Sequence, residues 1–271
     1  MKPAPPGNPT SSGSGPAIAK PVTGRLKILL DGARPGAQNM DRDALLLANH
    51  RPGDDPILRL YRWEPAAVTI GYNQDFADFD ADAVAAAGCD LVKRPTGGRA
   101  ILHADELTYA VVGTSPGPVF GRSLHETYMK INEALLAFLA DRGIVADISA
   151  GESRADAQGL VCFKSAGRHE VSVGGRKLIG SAQRRTAGVF LQHGSILAGP
   201  RHLELPGFLR RSGDRDHPDA ANLARVTTDL GQLTGTVPSG AELDALAPGL
   251  AAAFARVLDL EIDDTPLAGL A

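Results

Sequence analysis

A thiol and an amine brought close together make a nucleophile and its base, and one stretch of this chain offers both. Residues 159–185 read GLVCFKSAGRHEVSVGGRKLIGSAQRR, with Cys162 a short distance ahead of Lys177 and a glycine pair between them. A free thiol with a pKa near ~8.5 is only a few per cent thiolate at neutral pH, and a neighbouring ammonium lowers that pKa by about one unit or more. Lys177 beside Cys162 would therefore raise the reactive fraction several-fold. Each residue also has a plain structural reading. Cys162 lies in the apolar run LVCF, where a buried, inert cysteine is common, and Lys177 could be a solvated lysine on an outer face.

The spacing around Lys177 predicts a hairpin. Val171 and Val173 alternate with polar residues, Gly174-Gly175 is a permitted two-residue turn, and RKLIGSAQRR resumes as a strand. With a tight turn, Lys177 pairs with Ser172 and points away from Val171 and Leu178, whereas a bulge would reverse this assignment. The second cysteine, Cys89, sits beside Gly88 and is read as structural.

A second constellation lies upstream, where Arg94-Pro95-Thr96-Gly97-Gly98-Arg99 is followed by His103, Asp105 and Glu106. Adjacent glycines between strands let the backbone approach a ligand and present its N–H groups, although a Gly-Gly pair alone is merely a turn. His103 is a candidate base or a hydrogen-bonded structural histidine. No G-x-x-x-x-G-K-[ST] phosphate loop occurs, and no G-x-S-x-G elbow surrounds Ser181 or Ser195. The histidines and cysteines form no pair at metal-ligand intervals, so no zinc is expected.

The elements that must position these residues are legible in outline. LKILLDG from Leu26 reads as a strand, residues 38–47 as a helix capped by Asn39 or Asp41, ILRLYRW as a strand, and AVTIGYN as its partner across Glu64-Pro65. Residues 80–87 form a short helix closed by Gly88. LVKRP, AILH and LTYAVVG follow as strands. Ser123 caps a helix to about Asp141 with Leu124, Tyr128, Ile131, Leu135, Leu136 and Phe138 or Leu139 as its stripe, and Gly143 ends it. IVADI and GVFLQHGSIL read as strands, residues 199–222 as a loose stretch, 240–258 as a helix and LEI as a last short strand. Grouped strands separated by helices indicate an α+β class, with largely antiparallel mixed sheets flanked by helices.

Residues 1–24 are rich in Pro, Gly and Ser and should form a disordered tail that is neither export signal nor anchor, leaving 25–271 as a single domain. Scattered lysines and arginines and a net charge of −3 give no basic stripe, so neither nucleic acid nor membrane is an expected partner. Two distant cysteines fit a reducing compartment, here the cytoplasm.

Several of these motifs, in this order, resemble the lipoate ligase, biotin ligase and octanoyltransferase superfamily. RPTGGRAILHADELTYAVV is similar to its signature, GRKLIGSAQRR and LQHGSIL to its lysine strand and the strand after it, and the likeness runs from about Leu26 to Leu258, including YRWEPAAVTIGYNQ. Arg99 after the glycine pair, and Cys162-Phe163-Lys164-Ser165 where ligases tend to carry an Arg-Asn-Asp-like sequence, resemble the cysteine-dependent octanoyltransferase branch. An ATP-dependent lipoate ligase is the alternative.

The resemblance implies a biotin/lipoate ligase-like catalytic domain. It would move octanoyl from acyl carrier protein to a lysine of a lipoyl domain, such as the glycine-cleavage H protein or a dehydrogenase E2 subunit. It further implies Cys162 as acyl-accepting nucleophile and Lys177 as its partner, with Arg94, Thr96, Gly97, Gly98, Arg99 and His103 lining the acyl pocket and Gly180, Ser181 and Ala182 beside it. Thioester exchange is nearly isoenergetic and aminolysis to an amide is downhill, so no cofactor and no ATP are expected.

Overall fold

The computed structural model describes residues 24–149, 170–210 and 219–267. Residues 1–23 of the expected N-terminal tail and the segment carrying Cys162 lie outside the described residues.

Eight strands form a mixed sheet in the order β11-β1-β2-β6-β10-β9-β8-β7. They are β1 (Arg25–Arg34), β2 (Ile57–Trp63), β6 (Glu106–Thr114), β7 (Asp147–Ile148), β8 (Val171–Val173), β9 (Arg176–Thr186), β10 (Val189–Leu197) and β11 (Glu261–Asp263). β1 runs parallel to both β2 and β11, and the remaining pairs are antiparallel. A second sheet has the order β4-β3-β5 and is built from β3 (Ala67–Ile70), β4 (Asp90–Lys93) and β5 (Ile101–His103). The α+β class with mixed sheets is therefore as read from the sequence.

AVTI does not pair with ILRLYRW. Both edges of β2 are taken, by β1 and β6, so β3 enters the second sheet between β4 and β5, where all four of its residues are buried.

The helices are α1 (Gly36–Asn49), α2 (Ala81–Ala86), α3 (Leu124–Ala140), α4 (Ala220–Val226), α5 (Leu230–Thr234) and α6 (Gly240–Leu258). Strand alternation decides what each covers. Leu58 and Leu60 of β2, Leu107, Tyr109 and Val111 of β6, and Phe190 and Ile196 of β10 face α3 and α6 in one core. Their alternates Tyr61, Trp63, Ala110, Val112, Val189 and Leu191 face α1 through Met40, Leu46 and Leu47. A third core joins the small sheet to α2, α4 and a 3-10 stretch over Pro200–Phe208. That 3-10 stretch, and α4 after it, replace part of what reads in the sequence as an irregular region. No helix among the described residues is long and apolar enough to cross a membrane.

Local capping chemistry sets several boundaries. Ser123 and Glu126 form a capping box at the start of α3, and Gly143, at φ +72°, turns the chain after it. Gly88 ends the α2 region at φ +67°. The stripe of α3 differs at one end, because Leu124 in the first turn is 48% exposed while Ile131, Leu135, Phe138 and Leu139 are buried. Neither Asn39 nor Asp41 caps α1, which starts earlier, behind Pro35. Asn39 is instead fully buried and donates to the carbonyls of Arg34 and Arg62.

Candidate active site

Between α1, the α1-facing side of the large sheet and the small sheet lies a narrow cavity of about 60 Å3. Its inner walls are Met40, Tyr61, Trp63, Ile101, His103 and Thr108. Arg94 and Gly98 come from the glycine turn, Gly180, Ser181 and Ala182 from β9, and His193, Gly194 and Ser195 from β10. Gly98 is exposed and Ser181 and Ala182 are half-buried, so these mark the mouth, while Tyr61, Trp63 and Thr108 are buried at the far end.

Two glycines make this shape possible. A Cβ on Gly71 would stand 1.8 Å from the Gly98 carbonyl oxygen, so only glycine lets the end of β3 lie directly against the turn. Gly98 itself has φ +89°, and a Cβ there would meet an Arg94 guanidinium nitrogen at 2.8 Å.

Most of the side chains around the cavity are polar, yet their polar atoms are engaged with each other. Arg94 is buried and threads the turn, donating to the carbonyls of Thr69, Gly97 and Arg99 and to the hydroxyls of Thr69 and Thr96. Thr96 bonds His193 Nε2 at 2.7 Å, and His193 Nδ1 lies 2.8 Å from the Asp43 carboxylate. Thr69 bonds His103 Nε2 at 2.8 Å, and His103 Nδ1 lies 2.7 Å from Glu106 Oε1. That same Glu106 oxygen accepts from Ser195 and Thr108, whose hydroxyl oxygen in turn accepts the Trp63 indole N–H. The His103 ring stacks on Trp63 at 4.1 Å between centroids. What the cavity meets is therefore mainly carbon: ring faces, methyls and methylenes.

Asp43 anchors the network from below. Burial pushes its carboxyl up, but the His193 hydrogen bond and the Arg59 guanidinium outweigh this and hold it below the usual carboxylate value. Arg59 is fully buried, bonds Asp43 at 2.7 Å and Asp31 at 2.8 Å, and is raised above its ordinary pKa by those carboxylates against the effect of burial. Burial, then Asp43, pushes the Tyr61 phenol well up, and its hydroxyl donates to Asp43 at 2.9 Å. His193 is pushed down by burial, against the raising effect of Asp43, which favours the neutral ring.

Lys177 is buried, at 1% relative exposure, and its ammonium contacts the Glu170 carboxylate; the solvated-lysine reading fails. It pairs with Ser172 as the tight turn requires, but the register then shifts, and Val171 lies opposite Ile179 rather than Leu178. Val171, Leu178 and Ile179 all enter the α3/α6 core. Lys177 thus points away from that core. The slip also brings Gly180 and Ala182, which pair with Ser195 and His193, onto its face of the sheet. Along β9, Gly180 is about 10 Å from Lys177 at ~3.3 Å per residue. Ser181 turns to the other side and bonds the Tyr109 hydroxyl at 2.6 Å; burial pushes that phenol up to about 12.

Of the residues singled out in the sequence, Arg94, Gly98, His103, Gly180, Ser181 and Ala182 meet at the cavity. Thr96 stands behind His193, the Gly97 carbonyl accepts from Arg94, and Thr96, Gly97 and Arg99 are not among the residues that line the cavity. Lys177 lies farther along β9, and Cys162 is outside the described residues. Cys89 is buried and its thiol is pushed up by burial, consistent with a structural role.

Asp43, Arg59, Thr69 and His193 were not found by sequence reasoning. A signal for Asp43 was present, since it sits between Met40 and Leu46/Leu47 on the apolar stripe of α1, where an acid needs a partner.

The lipoyl protein ligase A/B catalytic-domain family model matches residues 35–255. The octanoyltransferase LipM of Symbiobacterium thermophilum is 41% identical over 251 residues, 87% of each chain. That of Kyrpidia tusciae is 37% identical over 242 residues, 86% of this chain and 88% of the relative. Among solved structures, a bi-partite lipoate protein ligase from Thermoplasma acidophilum superposes with a TM-score of 0.70 at 22% identity, over 91% of this chain and 88% of its own, a likeness of fold.

Proposed function

The chain belongs to the lipoyl protein ligase A/B catalytic-domain family, and from that membership we propose that it is an octanoyltransferase. In this reading it takes octanoyl from acyl carrier protein as a thioester on Cys162 and delivers it to a lysine of a lipoyl domain in the cytoplasm. The observation that carries the reading is the cavity, whose polar side chains are tied to one another so that carbon faces inward. Such a slot suits an unbranched aliphatic chain, with the carbonyl left toward the mouth at Gly98 and Ala182.

The chemistry needs two acyl exchanges. The Cys162 thiolate adds to the thioester carbonyl, the carbon–sulfur bond to the carrier breaks, and the carrier thiolate departs with a proton. The amine of the acceptor lysine then adds to the Cys162 thioester, the carbon–sulfur bond breaks, the amine's proton passes through Lys177 to the departing Cys162 thiolate, and an amide remains. No electron pair is gained or lost overall, and no nucleotide is consumed. Lys177 is assigned the proton traffic. Its amine takes the thiol proton and passes it to the departing thiolate, and the Glu170 carboxylate holds the side chain in place.

The test is intact mass. After incubation with octanoyl-charged acyl carrier protein, the chain is expected to gain one hydroxylamine-labile octanoyl group, absent in Cys162→Ala, and to pass it to a lipoyl domain without ATP. An adduct that persists in Cys162→Ala, or transfer that requires ATP and free lipoate, overturns the reading.

A further inference from the structure

Two hydrogen-bond relays of matching chemistry meet at Arg94. From one side of the guanidinium, Nη1 donates to the Thr69 hydroxyl at 3.2 Å, and Thr69 faces His103 Nε2 at 2.8 Å. From the other, Nε donates to the Thr96 hydroxyl at 3.2 Å, and Thr96 faces His193 Nε2 at 2.7 Å. The carboxylates of Glu106 and Asp43 accept at Nδ1, at 2.7 and 2.8 Å, so each neutral ring carries its proton there. Nε2 is then the acceptor, and the hydroxyl of Thr69 or Thr96 donates to it while the same oxygen accepts from Arg94. Arg94, which can only donate, supports that orientation in both relays.

We propose that Thr69 and Thr96, polarised by Arg94, are specificity-determining positioning residues. They hold His103 and His193 as neutral Nδ1–H imidazoles whose two nitrogens are both occupied, so the cavity walls offer a polar acyl chain nothing to bond. An aliphatic tail enters at no polar cost, whereas a hydroxyl or carboxyl on that tail loses its water and finds no partner. The same arrangement removes both histidines from proton transfer, because neither has a free lone pair. The substrate half of this proposal rests on the octanoyltransferase reading; the tautomer half does not.

Both halves can be measured. Side-chain 15N NMR of the full-length protein at pH 7.5 is expected to show two histidines as neutral Nδ1–H tautomers with hydrogen-bonded Nε2. Assignment uses His103→Gln and His193→Gln, and an Nε2–H tautomer at either position overturns the proposal.

In steady-state transfer, the wild type is expected to prefer octanoyl over 8-hydroxyoctanoyl carrier thioester by about a hundredfold in kcat/KM. In Thr96→Val, which keeps the side-chain shape, the octanoyl KM should rise about tenfold with kcat within about threefold, and the preference should shrink below about tenfold as an unsatisfied imidazole nitrogen becomes available. Thr69→Val should act likewise, and Thr96→Ser and Thr69→Ser should restore both values. A collapse of kcat at unchanged KM would instead make the histidines proton-transfer groups, and identical behaviour of the valine and serine variants would remove the hydroxyl from the argument; either overturns the proposal. If the wild type transfers no octanoyl at all, the octanoyltransferase reading fails with the selectivity claim, and the NMR spectrum still decides the tautomers.

Discussion

The cavity and the surroundings of Lys177 share one face of the large sheet and are both buried, yet they are built on opposite plans. Around the cavity, ring nitrogens, hydroxyls and the indole N–H are matched donor to acceptor, with Glu106 Oε2 a buried oxygen that has no partner among the described residues. Around Lys177 there is a buried ion pair to Glu170, and two buried hydroxyls, Ser172 opposite Lys177 and Thr228, whose N–H donates to the Lys177 carbonyl, have no partner among the described residues. A matched network resists rearrangement and presents carbon; an ion pair with unsatisfied hydroxyls nearby retains groups that can exchange partners and protons. On the function proposed above, the difference separates the work: one region would recognise and the other react.

The largest effect should come from breaking the reactive region. Lys177→Met is expected to lower octanoyl transfer by at least about a hundredfold and, by leaving Glu170 buried without this counter-ion, to destabilise the fold by about 3 kcal/mol or more. Adding Glu170→Gln should recover much of the melting temperature and none of the activity; recovery of transfer would dissolve the comparison.

On the recognising side, Gly71→Ala must push the glycine turn off β3, costing about 1–3 kcal/mol and raising the octanoyl KM, read by thermal melts and transfer kinetics. A subtler test uses pH. His193 is held below its ordinary value of 6.5, so the unfolded chain binds a proton there before the native one does, and stability falls as pH drops below about 6.5. Asp43, held below 3.8, keeps its contribution at both pH 7.5 and pH 5.5, and loses it only as pH falls from the unfolded value through the native one. Urea melts at pH 7.5 and 5.5 should show the wild type losing stability, with a smaller loss in His193→Gln. The smallest effect is expected of Cys89→Ala, which should leave octanoyl transfer unchanged and cost about 1 kcal/mol or less.

What could be read in the sequence was local. The Gly174-Gly175 hairpin, the Ser123 cap and the helix over 240–258 depend on neighbours a few residues apart, and each stands where its spacing puts it. The site residues carried by the glycine turn and by β9 were found because they cluster in the chain. What escaped was settled at long range. β3 reads as a partner for β2, but only the pairing of β2 with β6 shows that the edge is taken. Asp43 and His193 are 150 residues apart, and neither is informative until the fold joins them. The slip after Lys177 leaves no mark in the sequence, because Leu178 and Ile179 are both apolar and either could have faced the core.

The contact between Gly71 and the Gly98 carbonyl bears on how this site could be re-engineered. Over that contact the roof of the slot is backbone resting on backbone, with no side chain to trim, so room for a longer or bulkier acyl group cannot be won there. The space must come from the inner walls, where Met40 and Ile101 are side chains of removable volume outside the hydrogen-bonded frame. On the proposed reading, Met40 and Ile101 would set the chain-length limit beneath a fixed ceiling.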